Sequence, residues 1–132
     1  MKKKRILFAG ILLLICSSIF IFYQGKTVNV YIGVANEYHS NGVNILLKIN
    51  NVMVWENKIY SGLNNYTKFC ESFKFGYNTI EVTSKNRNLL VKKVVFVSIN
   101  QHIVIEYFPP STSSGSKELI SVEIRSGKFY YE

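Results

Sequence analysis

Along most of this 132-residue chain, hydrophobic positions recur at every second residue. Val28, Val30, Ile32 and Val34 alternate with Asn29, Tyr31 and Gly33, and Val43, Ile45, Leu47 and Ile49 repeat the pattern. A period of two sends neighbouring side chains to opposite faces, so both segments read as half-buried β-strands. Asn50-Asn51 is a turn signal, followed by a short run from Val52 to Trp55 and another from Lys58 to Tyr60. Ser61 to Asn65 reads as a loop. Phe69, Phe73 and Phe75 then alternate towards a turn at Gly76-Tyr77-Asn78. Beyond it Ile80 and Val82 point one way and Thr79, Glu81 and Thr83 the other, which predicts a hairpin.

Lys85 to Asn88 predicts a further turn, followed by a long strand from Leu89 to Val97. Ser98 to Gln101 separates that strand from one over His102 to Phe108, and the Pro- and Ser-rich stretch 109–116 reads as a loop within the domain. A last hairpin is expected from Leu119 to Ile124 and Lys128 to Tyr131, turning at Arg125-Ser126-Gly127. Beyond residue 25 no stretch sustains the 3.6-residue period of a helix. Eight or nine short strands in about a hundred residues predict an all-β fold: a small antiparallel β-sandwich, immunoglobulin- or transthyretin-like, with a small barrel as the alternative. Trp55, Phe69, Phe73, Phe75 and Tyr107 are the expected aromatic core.

The N-terminus breaks this pattern. Lys2, Lys3, Lys4 and Arg5 precede eighteen uncharged residues, Ile6 to Tyr23. As a helix these would reach roughly 27 Å, close to the ~30 Å hydrocarbon core of a bilayer. The run is longer than the apolar region of a cleaved signal peptide and is followed by no Ala-x-Ala-like step, and Tyr23 suits the membrane–water boundary. The expectation is a basic cytoplasmic N-terminus over 1–5, a transmembrane signal-anchor over 6–23 contacting the lipid bilayer, and an extracytoplasmic domain over 24–132. Basic residues stay on the cytoplasmic side, which sets that single-pass orientation. Two other fates are open. Cleavage near Cys16-Ser17-Ser18 would give a secreted domain. Lipidation of Cys16 would give a surface lipoprotein, since Leu13-Leu14-Ile15-Cys16 resembles a lipobox at Leu13, although Ile15 stands where that pattern has Gly, Ala or Ser.

Charge adds little. The formal +8 owes four charges to residues 2–5, leaving twelve Lys/Arg against eight Glu from Lys26 onward. Lys85, Arg87, Lys92 and Lys93 cluster in sequence around one turn and strand start, a candidate contact for an envelope protein, a polysaccharide or an anionic surface polymer. A translocated domain without a single-strand-binding motif is not expected to meet nucleic acid. Tyr130, inside Phe129-Tyr130-Tyr131, is a second candidate contact, because consecutive aromatics in a strand point to both faces.

The chain contains no Asp, which excludes Asp-x-Asp calcium loops and an Asp-supported Ser-His-Asp triad. Its two histidines, His39 and His102, sit in no zinc-binding spacing, and the glycines are scattered singly rather than grouped in a phosphate loop. Glu81, Glu106 and Glu123 alternate with apolar neighbours and are read as solvent-facing charges rather than a glycosidase pair. Nothing local brings His102 to Cys70 as a thiol nucleophile and its base. Cys70, the lone Cys of the domain, is read as a small hydrophobe within its strand, and Asn65-Tyr66-Thr67 fits the N-glycosylation sequon. The expectation is a non-catalytic binding, adhesion or scaffold module with no catalytic residue, metal or cofactor, and a small envelope enzyme is the alternative of a different class.

Overall fold

The computed structural model describes residues 2–23, 25–35, 42–62, 65–110 and 115–127, and within the first helix the side chains of Phe8 and residues 10–20. Helix α1 (Lys2–Tyr23) is followed by eight strands: β1 (Lys26–Val34), β2 (Val43–Ile49), β3 (Val52–Ile59), β4 (Thr67–Phe73), β5 (Gly76–Ser84), β6 (Leu89–Val97), β7 (Gln101–Phe108) and β8 (Leu119–Ser126). They form two four-stranded sheets, β4-β1-β7-β8 and β3-β2-β5-β6, packed face to face as a β-sandwich. Every pairing is antiparallel except β1 with β7, which is parallel.

The period-two pattern builds the core as expected. Val30 and Ile32 of β1, Ile45 and Leu47 of β2, Ile80 and Val82 of β5 and Ile103 and Ile105 of β7 point into one cluster, each at most 1% exposed. Of the expected aromatic core, Phe73 and Tyr107 are fully buried, Trp55 and Phe69 partly so, and Phe75 lies in the β4–β5 link. Trp55 and Phe69 stack with their rings 5.9 Å apart and 2° from parallel, sealing the sandwich between edge strands β3 and β4. The opposite seam, between β6 and β8, is bridged by Lys93, whose Nζ donates to the Val122 carbonyl at 2.6 Å.

Three local readings are corrected. The run Val52 to Trp55 and the run Lys58 to Tyr60 join into one strand, β3, whose register against β2 shifts at Leu47/Lys48 to absorb the extra residue. The segments around Phe69 and Ile80 are not a hairpin: β4 pairs with β1 and β5 with β2 and β6, so Lys74-Phe75 crosses between sheets and Gly76-Tyr77-Asn78 already belongs to β5. The Asn78 side chain explains this crossing. It is buried, receives the Lys74 amide at 3.2 Å and donates to the Lys74 carbonyl at 2.7 Å, knotting the link where a hairpin turn was expected. Finally, β8 runs on through Arg125 and Ser126, and the second arm expected at Lys128 to Tyr131 lies outside the described residues.

The Asn50-Asn51 turn is as expected: both residues have positive φ (51° and 68°) between Ile49 and Val52, the two-residue geometry that fits the twist of a hairpin. Among the described residues no helix is long and apolar enough to cross a membrane, so the fold does not by itself establish the span expected over residues 6–23. The described apolar side chains of α1 from Phe8 to Phe20 are all exposed, so the helix does not contribute to the β-core.

Candidate functional site

The four clustered cations of the sequence do not converge in space. Lys85 lies in the β5–β6 turn and lines an open pocket of about 350 Å³ on the outer face of the second sheet, with Asn44, Leu46, Glu56, Lys58 and Thr83. Arg87, two residues on, is half-buried and acts electrostatically on Tyr107 of the other sheet; its Nε is buried and makes no hydrogen bond among the described residues. Lys92 stands opposite Glu81 on the outer face of β5 and β6. Lys93 has the inward parity of Val91 and Val95 and is bound to β8. The alternation of β6 therefore separates two lysines that are neighbours in sequence.

At the pocket a predicted cation meets further polar groups around a concave surface. Strands β2, β3 and β5 supply Asn44, Glu56, Lys58 and Thr83 from rigid positions, because Asn44 and Lys58 are register partners, as are Leu46 and both Glu56 and Thr83. Asn86 fastens the adjacent turn: its side chain accepts from the Asn44 amide at 3.1 Å and from the Ser84 hydroxyl at 3.0 Å, and donates to the Gly42 carbonyl at 3.4 Å. One carboxylate, two ammonium groups, two amides and a hydroxyl can recognise a polar partner by hydrogen bonds and charge. Of these residues only Lys85 was expected from the sequence, because Asn44, Glu56, Asn57 and Lys58 come from β2 and β3, distant in the chain, and Thr83 carries no charge to mark it.

The outer face of the first sheet carries a second polar group that sequence reading treated residue by residue. Arg125 donates to Glu123 Oε2 from Nε at 3.0 Å and from Nη2 at 2.8 Å, and its Nη2 lies 3.8 Å from Glu106 Oε2. The Tyr66 hydroxyl donates to Glu106 Oε1. The neighbouring guanidinium holds the Glu123 carboxyl below its ordinary value, chiefly through that hydrogen bond, and the carboxylate in turn raises Arg125. Of the three glutamates read as solvent-facing, Glu123 is exposed at 46% of its side chain, whereas Glu106 is only 13% and Glu81 20% exposed. Glu81 receives Lys48 Nζ at 3.0 Å.

Cys70, Asn29, His102 and Arg125 occupy one register row across β4, β1, β7 and β8. Asn29 stands between Cys70 and His102, which are therefore two strand spacings apart, roughly 10 Å. Cys70 Sγ donates to Asn29 Oδ1 at 3.1 Å, and His102 is buried against Tyr31, ring to ring at 5.6 Å and 82°. This row does not bring thiol and imidazole into the contact that a nucleophile and its base require. Cys70 is exposed rather than tucked into the core, because it faces outward from edge strand β4, and Cys16 is exposed on α1; both are free thiols. Asn65 is exposed before β4, whereas Tyr130 and His39 lie outside the described residues.

Compared with known proteins, the chain matches no family model, no curated protein and no solved structure.

Proposed function

We propose that the chain is a single-pass, membrane-anchored extracytoplasmic module whose β-sandwich binds an envelope partner without catalysing a reaction. The observation that carries the anchor is the state of α1: its described apolar side chains are all exposed, including Phe8, Leu13, Leu14 and Phe20 at two-thirds or more of their surface. A helix hydrophobic on every side is stable when protein or lipid surrounds it, and here the protein does not. The basic residues Lys2 to Arg5 ahead of it favour a cytoplasmic N-terminus.

The binding role rests on the pocket around Lys58, Glu56 and Lys85, whose mixed charges suit a polar polymer or protein surface. Strand order favours the transthyretin type over the immunoglobulin type. In an immunoglobulin constant domain the first strand pairs with the second, whereas here β1 lies between β4 and β7.

Intact mass of the protein recovered from alkaline-washed membranes tests the anchor. A full-length mass supports it, an acylated mass beginning at Cys16 replaces it with a lipoprotein, and a soluble shortened product replaces it with a secreted domain. Crosslinked pull-down from envelopes tests the binding role: Lys58→Glu with Lys85→Glu should remove a partner that the parent chain retains. An unchanged capture profile removes the pocket from the reading.

A further inference from the structure

The strand register gathers one set of turns around the point where the chain leaves α1. Lys26, the first residue of β1, faces Phe73, the last of β4, and Gly76, the first of β5, faces Val97, the last of β6. The Asn50 amide binds the Thr79 carbonyl, which brings the β2–β3 turn to the same end. Between Tyr23, which ends α1, and Lys26 lie two residues, so the gap spans at most roughly 11 Å. This end of the sandwich is therefore the one held near the end of α1.

The same end carries most of the large apolar side chains that the sandwich leaves in the open. Tyr77 is 77% exposed, Ile99 68% and Phe96 47%, and Val52 and Met53 lie bare beside the β2–β3 turn. Phe96 is set edge-on to both Tyr77 and Phe75, with ring centres 5.2 and 5.9 Å away, so the aromatic cluster is already assembled. Exposed Lys74 adjoins it in the chain, Lys26 lies at the same end of the sandwich, and the turns 50–51, 74–75 and 98–100 contain no carboxylate. Apolar rings fringed by cations match the boundary of a bilayer, where aromatic rings settle at headgroup depth and ammonium groups meet lipid phosphates.

We propose that this end of the domain is seated in the outer headgroup layer of the bilayer that α1 enters, with Phe75, Tyr77, Phe96 and Ile99 at the hydrocarbon boundary and Lys26 and Lys74 among the phosphates. The inference rests on the anchor reading above and adds a fixed orientation to it. Seated this way, the sandwich stands upright. The pocket around Lys58 and Lys85, at the far ends of β2 and β5, is then presented roughly 25–30 Å above the membrane, the length of a nine-residue strand.

The test uses the full chain in vesicles of phosphatidylcholine and phosphatidylglycerol, part of the phosphatidylcholine being brominated on its acyl chains. In a Trp55→Phe background, Phe96→Trp places the single indole in the cluster and Leu90→Trp places it at the opposite end of β6. Brominated lipid should quench most of the emission of the Phe96→Trp chain and leave that of the Leu90→Trp chain nearly unchanged, and Tyr77→Trp should reproduce the quenching should Phe96→Trp disturb the fold. Equal, weak quenching in protein that stays with the vesicles through an alkaline wash overturns the seating and leaves the anchor standing. An indole shielded from aqueous iodide but untouched by brominated lipid also overturns it, since another protein surface then covers the cluster. Release of the chain by alkali overturns the anchor, and the seating with it.

Discussion

Lys93 Nζ meets the Val122 carbonyl oxygen at 2.6 Å across the gap between β6 and β8, the two edge strands on one side of the sandwich. An inward-pointing charge on an edge strand also discourages pairing with another chain, because a second strand would trap it without water. Lys93→Ala removes both the bond and the deterrent. Urea unfolding should show a loss of about 1–2 kcal/mol, the worth of a charge-assisted hydrogen bond that is partly solvated. Lys92→Ala, one residue away on the outer face, should stay within about 0.5 kcal/mol of the parent chain. Equal effects from the two lysines would contradict the assigned parity of β6.

Gly33 lies beneath the Tyr66 ring, and a Cβ added there would stand 2.7 Å from Tyr66 Cδ1. Gly33→Ala must therefore push the ring aside, and with it the hydroxyl that donates to Glu106. The expected cost is about 1–3 kcal/mol, typical of overpacking. Adding Tyr66→Ala to Gly33→Ala should restore most of that steric loss, which a double-mutant cycle in urea would measure.

Tyr107 is buried and donates to Glu118 Oε2 at 2.8 Å. Burial first, and then this bond and the charge of Glu118, push the phenol from 10.0 up to about 12. A group whose folded value is raised stabilises the fold fully below its unfolded value, so this contribution is intact below pH 10 and disappears as pH rises to about 12. Absorbance titration should find Tyr107 ionising at about pH 12. Tyr107→Phe should flatten the fall in stability over that window, and an unaltered fall would place its origin elsewhere.

Glu123 behaves in the opposite sense. Its carboxyl is held below 4.5, first by the hydrogen bond from Arg125, so its share of stability is present above that value and is lost as pH falls through the folded value. The pair is well exposed and solvent screens it, so the stability change should be small. The shift itself is the readout. Carboxyl NMR titration should show Glu123 moving upward in Arg125→Ala, and no movement would refute the pairing.

Alternation along β1, β2, β5 and β7, the Asn50-Asn51 turn and the break at residue 25 were all legible in the chain, because strand periodicity and turn conformation are local properties. Local pattern also marked the core-facing side of those strands. It could not show that the centre of β1 is buried on both faces, from Val30 to Val34, because Tyr66, Gly33 and Tyr31 meet only after β1 is flanked by β4 and β7.

Partner choice was likewise outside its reach. The chain between β4 and β5 is as short as a hairpin's, yet Asn78 ties Lys74 into a crossing between sheets, and only the closed sandwich rewards that conformation by burying Phe73 and Ile80 on opposite layers. The four cations looked like one patch because they are close in sequence, and strand parity together with sheet stacking sent them to four surroundings. What the amino-acid order determined alone was most of the strand segments and the uncharged apolar run before them. Which strands pair, and so which side chains share a surface, was decided by long-range packing, where burying two apolar faces at once outweighs any local preference.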